Sequence, residues 1–524
     1  MRNYFGNCEA VFLLHLLYMN LSQNPGKIQR WVTVAGMAAA AAAAAFVMLH
    51  FSGFIYKFHA TSLFQESASW FAEHFERPAA LLIYCGRFLT QFCYYPAVAV
   101  TLLLLLYAAI TVLTYRLFLR GARIPFLAII PALALYTALM RIGYGVIVFR
   151  ADALIFTEPL GILSALLLFR LTMLLSPKIR WAIPFLAYPL VGCYALLALL
   201  IHAAFSISRE KGVARLASLA TDLVCLAAVP WIEYLLLYNH SVLRYMWLQG
   251  APFLDYIYNP KEWIPLAVAA ATPVLLALMP ERKSRPAAIW HPLLTLALTA
   301  AAVTCTYLLP YRDSLFHRQM AAERAIDNDD WDKVAERLLP LKVTNEVLIA
   351  YRNCALYAKG RLEEGCMNYS FNTVPIVMGD QEYSSSLIAG PTIFFHSGLL
   401  NYASRISSEI SLYTNYSVER WKYLAKAAVF NGERDLAEKY LGTLSRTTLH
   451  KGWARHWRSL LDDPERLAQD PQYKRLHPLQ DYDETRWMPS DNAAANVILF
   501  YRYVPGRSPE MQQWNRAAEI MSSF

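Results

Sequence analysis

Apolar stretches of membrane length recur between Trp31 and Pro310 and then stop; from Tyr311 to Phe524 the chain reads as water-soluble helical sequence. This change of solvent constrains the fold more than any motif does. In hydrocarbon every backbone amide must find its partner within the chain, so an embedded segment of this kind is a helix of about 20 apolar residues. The expected architecture is therefore all-α, with a short cytoplasmic segment (1–30), a polytopic transmembrane helix bundle (31–310) and a soluble domain (311–524).

A hydrophobic content of 56% against 17% charged residues is too apolar for an ordinary soluble protein. The net charge of +9 invites an anionic partner until it is divided along the chain. Residues 1–310 hold 22 Lys and Arg against 12 Asp and Glu, and the remainder 26 against 27. The excess lies among the spans, where basic residues mark cytoplasmic loops. Nucleic-acid binding has no support; the first partner is the lipid bilayer.

Lys27 and Arg30 precede the first span, Trp31–Phe54, which contains the alanine run Ala38 to Ala45 and reads as an uncleaved signal anchor. Residues 55–92 then lie outside. There Leu63-Phe64, Trp70-Phe71, His74-Phe75 and Leu81-Leu82 recur at helical spacing between Glu66, Glu73, Glu76 and Arg77, the pattern of an amphipathic helix on the membrane surface. A second span, 97–119, ends at Arg120 and Arg123, and later spans are expected at 181–205, 216–238, 263–280 and 288–310. The clusters Arg209, Lys211, Arg215 and Arg282, Lys283, Arg285 both favour the cytoplasm. Holding them there requires three crossings within 124–175 and leaves Lys178 and Arg180 on the outer side. The sum is nine spans, with eight as the alternative; nine puts the soluble domain outside, and eight puts it in the cytoplasm. Tyr245–Trp263 is expected as an external interfacial loop.

The soluble part reads as helical hairpins. Trp331, Val334, Leu338 and Leu339 form one apolar face, and Val347, Ala350, Tyr351, Cys354, Ala355 and Tyr357-Ala358 the next. The clearest unit runs from Trp421 to Leu444, with Asn431-Gly432 between two helices and Ala427, Ala428 and Ala437 at their crossing. Glycine stops the first helix by taking positive φ, and small residues let the pair close up. The unit resembles a tetratricopeptide-type hairpin, in a degenerate helical-repeat domain.

Arg87-Phe88-Leu89-Thr90-Gln91-Phe92 with Tyr94-Tyr95-Pro96, then Asp330-Trp331-Asp332, Tyr423-Leu424, Asn431-Gly432, Ala437, Lys439-Tyr440-Leu441 and Lys451-Gly452-Trp453-Ala454 carry a resemblance over nearly the whole chain. They resemble a family of bacterial multi-pass membrane proteins, mostly from Bacteroidota, known only as a domain of unknown function. The resemblance implies the same two-part architecture in a bacterial membrane; with nine spans, the loop charges mark that membrane as the inner one and put the helical domain in the periplasm. It implies no activity.

Ionisable residues inside spans are functional candidates by default. Asp222 and Glu233 lie in one span, about three turns apart on one face, while Arg150, Asp152 and Glu158 lie in the ambiguous stretch as candidate substrate ligands. Pairing across the bundle explains the same groups more simply. In the external segment, Glu66 is placed as multi-span glycosyltransferases place their catalytic base, with Arg87 as a phosphate partner; the architecture is similar to that of such enzymes, which act on lipid-linked sugars. They usually show an acidic pair where this chain has Gln65-Glu66. The competing functions are a scaffold whose repeat domain docks a protein, and a transporter. No motif names a cofactor. No metal set is evident: His317, His396, His450, His456 and His477 are isolated, with His450 and His456 expected on the surface. Cys354 and Cys366 share the soluble domain and can pair if it faces an oxidising space.

Overall fold

The computed structural model describes residues 25–148, 154–176, 179–251, 263–280, 290–361, 374–378, 381–414 and 416–477, and these are almost wholly helical. In the apolar part, α1 (Pro25–His50) continues past a bend at Phe51 into α2 (Ser52–Ala60). Then come α3 (Ala68–His74), α4 (Ala80–Thr90), α5 (Pro96–Thr114), α6 (Ile130–Arg141), α7 (Leu154–Leu174), α8 (Ala182–Val191), α9 (Cys193–Arg209), α10 (Gly212–Leu236), α11 (Ile264–Leu278) and α12 (Trp290–Leu308).

Among the described residues five helices are long and apolar enough to cross a membrane: Lys27–His50, Pro96–Leu119, Ile155–Leu174, Gly212–Leu236 and Trp290–Leu308. Four shorter apolar helices accompany them, at Pro125–Arg141, Ala182–Val191, Cys193–Arg209 and Ile264–Leu278. The nine full-length spans expected from hydropathy are therefore not present; four of the apolar segments are too short to qualify.

The alanine run has a packing role. α1 and α12 lie side by side and parallel, through Gln29 to Thr295 at 2.8 Å and the Phe46–Tyr307 rings at 6.4 Å. A Cβ on Gly36 would sit 2.2 Å from Thr299 Oγ1, so the backbones meet at a distance that only small residues allow.

Two segments divide differently from expectation. The described part of residues 124–175, read as three crossings, holds one apolar helix of spanning length, Ile155–Leu174, and one shorter apolar stretch, Pro125–Arg141. Residues 181–205, read as one span, turn back at Gly192 into the antiparallel hairpin α8–α9. Arg180, before α8, reaches Ser218 at 2.7 Å and His202, well along α9, at 3.4 Å. The missed signal was Gly192 itself, which adopts φ +59°, a conformation open to glycine. A Cβ there would lie 2.2 Å from the Gln249 carbonyl oxygen, which accepts from Cys193 N.

Beyond Pro310 the chain forms α13 (Ser314–Asp327), α14 (Trp331–Leu338), α15 (Glu346–Ala358), a two-stranded antiparallel ribbon of β1 (Ile376–Met378) and β2 (Gln381–Tyr383), α16 (Ser385–His396), α17 (Leu400–Thr414), α18 (Val418–Phe430), α19 (Arg434–Ser445) and α20 (Lys451–Leu461). Cap side chains start several of them: Asp330, Asn345 and Ser417 accept from the Lys333, Leu348 and Arg420 amides. The expected hairpin is present as α18–α19, with Gly432 at φ +73° and Ala427 and Ala437 fully buried. One apolar core runs from Val47 and Phe58 into Phe316, Tyr351 and Ile388, and a second fills α16–α20 around Phe394, Phe430, Leu441 and Trp457. The helical domain is thus a base continuous with the apolar bundle, carrying a lobe with its own core.

Replacing Gly192 by Ala adds backbone strain of about 1–3 kcal/mol to a steric clash. Its thermal midpoint in detergent is expected to fall further than that of G121A, where φ is +84° but a Cβ meets nothing within 4 Å. Equal shifts in the two variants would show that the hairpin turn is not under this constraint.

Candidate functional site

The densest polar constellation is a seam between α2 and the helical domain. It begins at a close approach: a Cβ on Gly53 would lie 2.8 Å from Ala321 N, so α2 presses on the α13 backbone, with Phe54 and Phe316 edge to face beside it. Every residue of α2 from Gly53 to His59 is buried, Lys57 included. One turn beyond the crossing, Lys57 Nζ meets Glu323 of α13 at 2.7 Å and Glu419 of α18 at 2.8 Å. Glu323 also accepts from Gln319 at 2.8 Å and from the Tyr351 hydroxyl at 3.0 Å. A further turn along α13, both oxygens of Asp327 take Lys422 at 3.0 Å, and the Tyr56 hydroxyl donates to the same carboxylate.

Burial would strip charge from these groups, and their pairing decides the outcome. It would lower Lys57, but the Glu323 and Glu419 carboxylates hold the ammonium well above the usual lysine range. It would raise Asp327, but Lys422 and the Tyr56 hydrogen bond hold that carboxyl well below the usual carboxylate range. Lys426, one turn after Lys422, stands 5.6 Å and 5.5 Å from the Phe395 and Trp457 rings, and burial pushes it down to about 8.

Beside the ion pairs, His59 Nε2 and His450 Nε2 are 2.8 Å apart and both rings are buried. Burial lowers His59 to about 3 and carries His450 well below the usual histidine range. The surface position expected for His450 is thus corrected: it plugs the seam, while His456 is exposed. Backbone bonds complete the join, from Val418 N to Ser62 O at 3.0 Å and from Glu66 N to Arg446 O at 2.8 Å. The cavity enclosed by Lys57, Asp327, His396, Lys422 and Lys426 is about 20 Å³, room for about one water molecule.

The residues singled out from sequence are dispersed. Glu66 is exposed and accepts from Thr448 Oγ1 at 2.6 Å; Arg87 lies over the Trp70 ring and 3.4 Å from His74 Nε2. Glu158 is buried on α7, bonded to the Tyr194 hydroxyl. Asp222 and Glu233 are both buried on α10, and Asp222 takes His202 Nδ1 at 2.7 Å, so a chain Asp222–His202–Arg180 links α8, α9 and α10. Arg150, Asp152 and Cys366 lie outside the described residues. Among the described residues no group of three His, Cys, Asp or Glu is arranged to hold a metal. The seam was missed because its members lie far apart in sequence. The one local clue was Lys57 in the apolar run Phe54-Ile55-Tyr56-Lys57-Phe58, since a lysine there must find carboxylates.

Both parts of this arrangement fall within a single family match, residues 27–505. The chain belongs to the DUF6057 family, a family of unknown function. No curated protein and no solved structure matches the chain. Because the DUF6057 match runs from α1 through α20, the seam lies within the family's unit rather than at a junction of two families.

Substituting Lys57 by Ala in this DUF6057 protein strands two carboxylates in the seam. The expected loss is about 3–5 kcal/mol, the usual cost of breaking a buried pair, read as a lowered thermal midpoint. Lys359→Ala, which removes a partly exposed pair with Asp332, is expected to cost under about 1 kcal/mol. Similar losses in both variants would contradict the assignment.

Proposed function

We propose that this protein crosses the bacterial inner membrane nine times and holds its helical domain outside, as a fixed platform that docks a protein partner. The crossing count is supported by which helix ends meet. Gln29 with Arg123, Phe118 with Phe169, Phe169 with Phe205, and Ser208 with Ala277 gather at one end; Tyr136 with Thr306 and Met140 with Tyr311 gather at the other. If the four short apolar helices are counted as crossings, α1, α5, α6, α7, α8, α9, α10, α11 and α12 alternate in direction. Lys27, Arg30, Arg120, Arg123, Arg180, Arg209 and Lys211 then fall on one face, with Arg180 no longer misplaced. That asymmetry favours this face as cytoplasmic and the helical domain as periplasmic.

The docking reading is carried by the contrast between a filled seam and an aromatic outer surface. A water-sized cavity among paired charges suits cohesion rather than turnover, and Glu66, the candidate base for a lipid-linked sugar, already ties its loop to Thr448. The Asp222–His202–Arg180 chain satisfies itself between helices, as polar bundle contacts do. On the lobe, whose hairpins are of tetratricopeptide type, Tyr416 stacks on Trp421 at 4.8 Å and Trp421 meets Tyr440 at 5.5 Å, with Leu412 and Leu436 exposed nearby. Tyr416 is exposed and Trp421 and Tyr440 are half-buried, and partly exposed aromatic clusters of this kind anchor protein interfaces.

A photo-crosslinker at Tyr416 in living cells is expected to yield a discrete protein adduct, and one at Glu465 none. The same pattern at both positions would refute docking at this surface. Glu66→Gln is expected to leave envelope glycans unchanged, whereas their loss would restore the catalytic reading. For topology, a periplasm-active reporter fused after His477 should be active and one inserted after Lys211 silent; the reverse would overturn the orientation.

A further inference from the structure

The His59–His450 contact joins two parts that the seam also holds by ion pairs and backbone bonds, and only one proton fits between the facing nitrogens. At 2.8 Å one ring donates through its Nε2 and the other accepts at its own, and the contact forms with either ring as the donor. A proton added to the accepting Nε2 would set two N–H groups against each other in a buried site.

We infer that seating of the α16–α20 lobe on α2 is linked to proton uptake by this histidine pair, so that acid releases the lobe. The groups facing the pair oppose protonation more than they assist it. Lys422 of α18 repels a charged ring at either position, while Tyr56 of α2 and Tyr94, before α5, present aromatic rings. Asp327 of α13 is the one facing anion, and it is engaged by Lys422 and Tyr56. The other lobe contacts in this region include the Lys57–Glu419 pair, the backbone bonds at Ser62 and Glu66, and the Thr448–Glu66 side-chain bond.

The direction of the effect follows from the depressed values. A histidine that is harder to protonate when seated contributes fully to seating while both states are neutral, above about pH 6.5. The contribution is lost as pH falls from there towards the seated value, about 3 for His59. With two such groups, the equilibrium between seated and released lobe changes by up to about a hundredfold per pH unit in that window. Asp327, held low, adds a loss only below about pH 4, where an ordinary carboxylate begins to protonate. The inference stands on the seam alone and is independent of what the lobe docks.

The test uses the full-length protein in lipid nanodiscs, with spin labels at Ser69→Cys and Arg455→Cys, both exposed. The inter-label distance is measured by pulsed electron resonance from pH 8 to pH 4. The expected result is one narrow distance at pH 8 and a longer, broader one in acid, with a transition steeper than one proton. Introducing His450→Gln keeps an N–H donor towards His59 but removes one titrating ring, so its transition should flatten to one proton or fewer while the pH 8 distance is retained. His59→Phe with His450→Phe, an apolar pair, should stay seated to lower pH. A distance unchanged down to pH 4 would overturn the inference. So would a transition that His450→Gln leaves as steep as before, which would assign it to carboxylates. Should His450→Gln fail to seat at pH 8, the double phenylalanine variant decides by the same criterion.

Discussion

A lysine ammonium enclosed at the end of the first apolar helix is the constraint around which the helical domain is arranged. Lys57 cannot remain charged in that position without anions, and the chain brings it two: Glu323 from the base of the domain and Glu419 from its lobe. The pair fixes three elements, α2, α13 and α18, at one point. The two carboxylates of α13 obey the same rule, that a buried charge must be matched and its spare hydrogen-bonding capacity used. Glu323 spends its second oxygen on Gln319 and Tyr351; Asp327 is shared by Lys422 and Tyr56. Such networks add little net stability over an apolar filling, but removal of one member is costly, so they favour one arrangement over its alternatives.

This seam explains why an apolar bundle and a water-soluble domain act as one body. The apolar core passes without a break from Val47 and Phe58 into Phe316 and Tyr351, and Gly53 lets α2 lie directly on the α13 backbone. The lobe beyond has its own core and reaches the base through the polar seam and the packing of α16. A joint made of charges and a histidine pair responds to protons as an apolar joint does not.

Much of the fold was legible from sequence because its causes are local. Apolar length located four of the five helices long enough to cross a membrane, the exception being Ile155–Leu174 in the ambiguous stretch, and Asn431-Gly432 with flanking alanines located the α18–α19 hairpin. Hydropathy did not separate α8 from α9, since a hairpin inside an apolar run has the composition of one span; only Gly192, at φ +59°, breaks it. The candidate site was less legible. Charged residues within apolar runs drew attention to Glu158, Asp222 and Glu233, yet the convergent set is Lys57, His59, Glu323, Asp327, Glu419, Lys422 and His450, spread over nearly 400 positions of chain. No local pattern encodes a contact of that range. Glu66 is exposed, but its partner, Thr448, lies 382 residues away.

A double-mutant cycle between Lys57 and Glu323 measures the central interaction without reference to function. Lys57→Met and Glu323→Met are each expected to destabilise the full-length protein in denaturant or heat, because the first strands two carboxylates and the second leaves the buried ammonium with Glu419 alone. The double variant should recover at least about 2 kcal/mol relative to the sum of the two losses, as expected for groups in direct contact. Losses that simply add would mean that the two side chains do not share a buried site, and that the helical domain is held to the first apolar helix by something other than this ion pair.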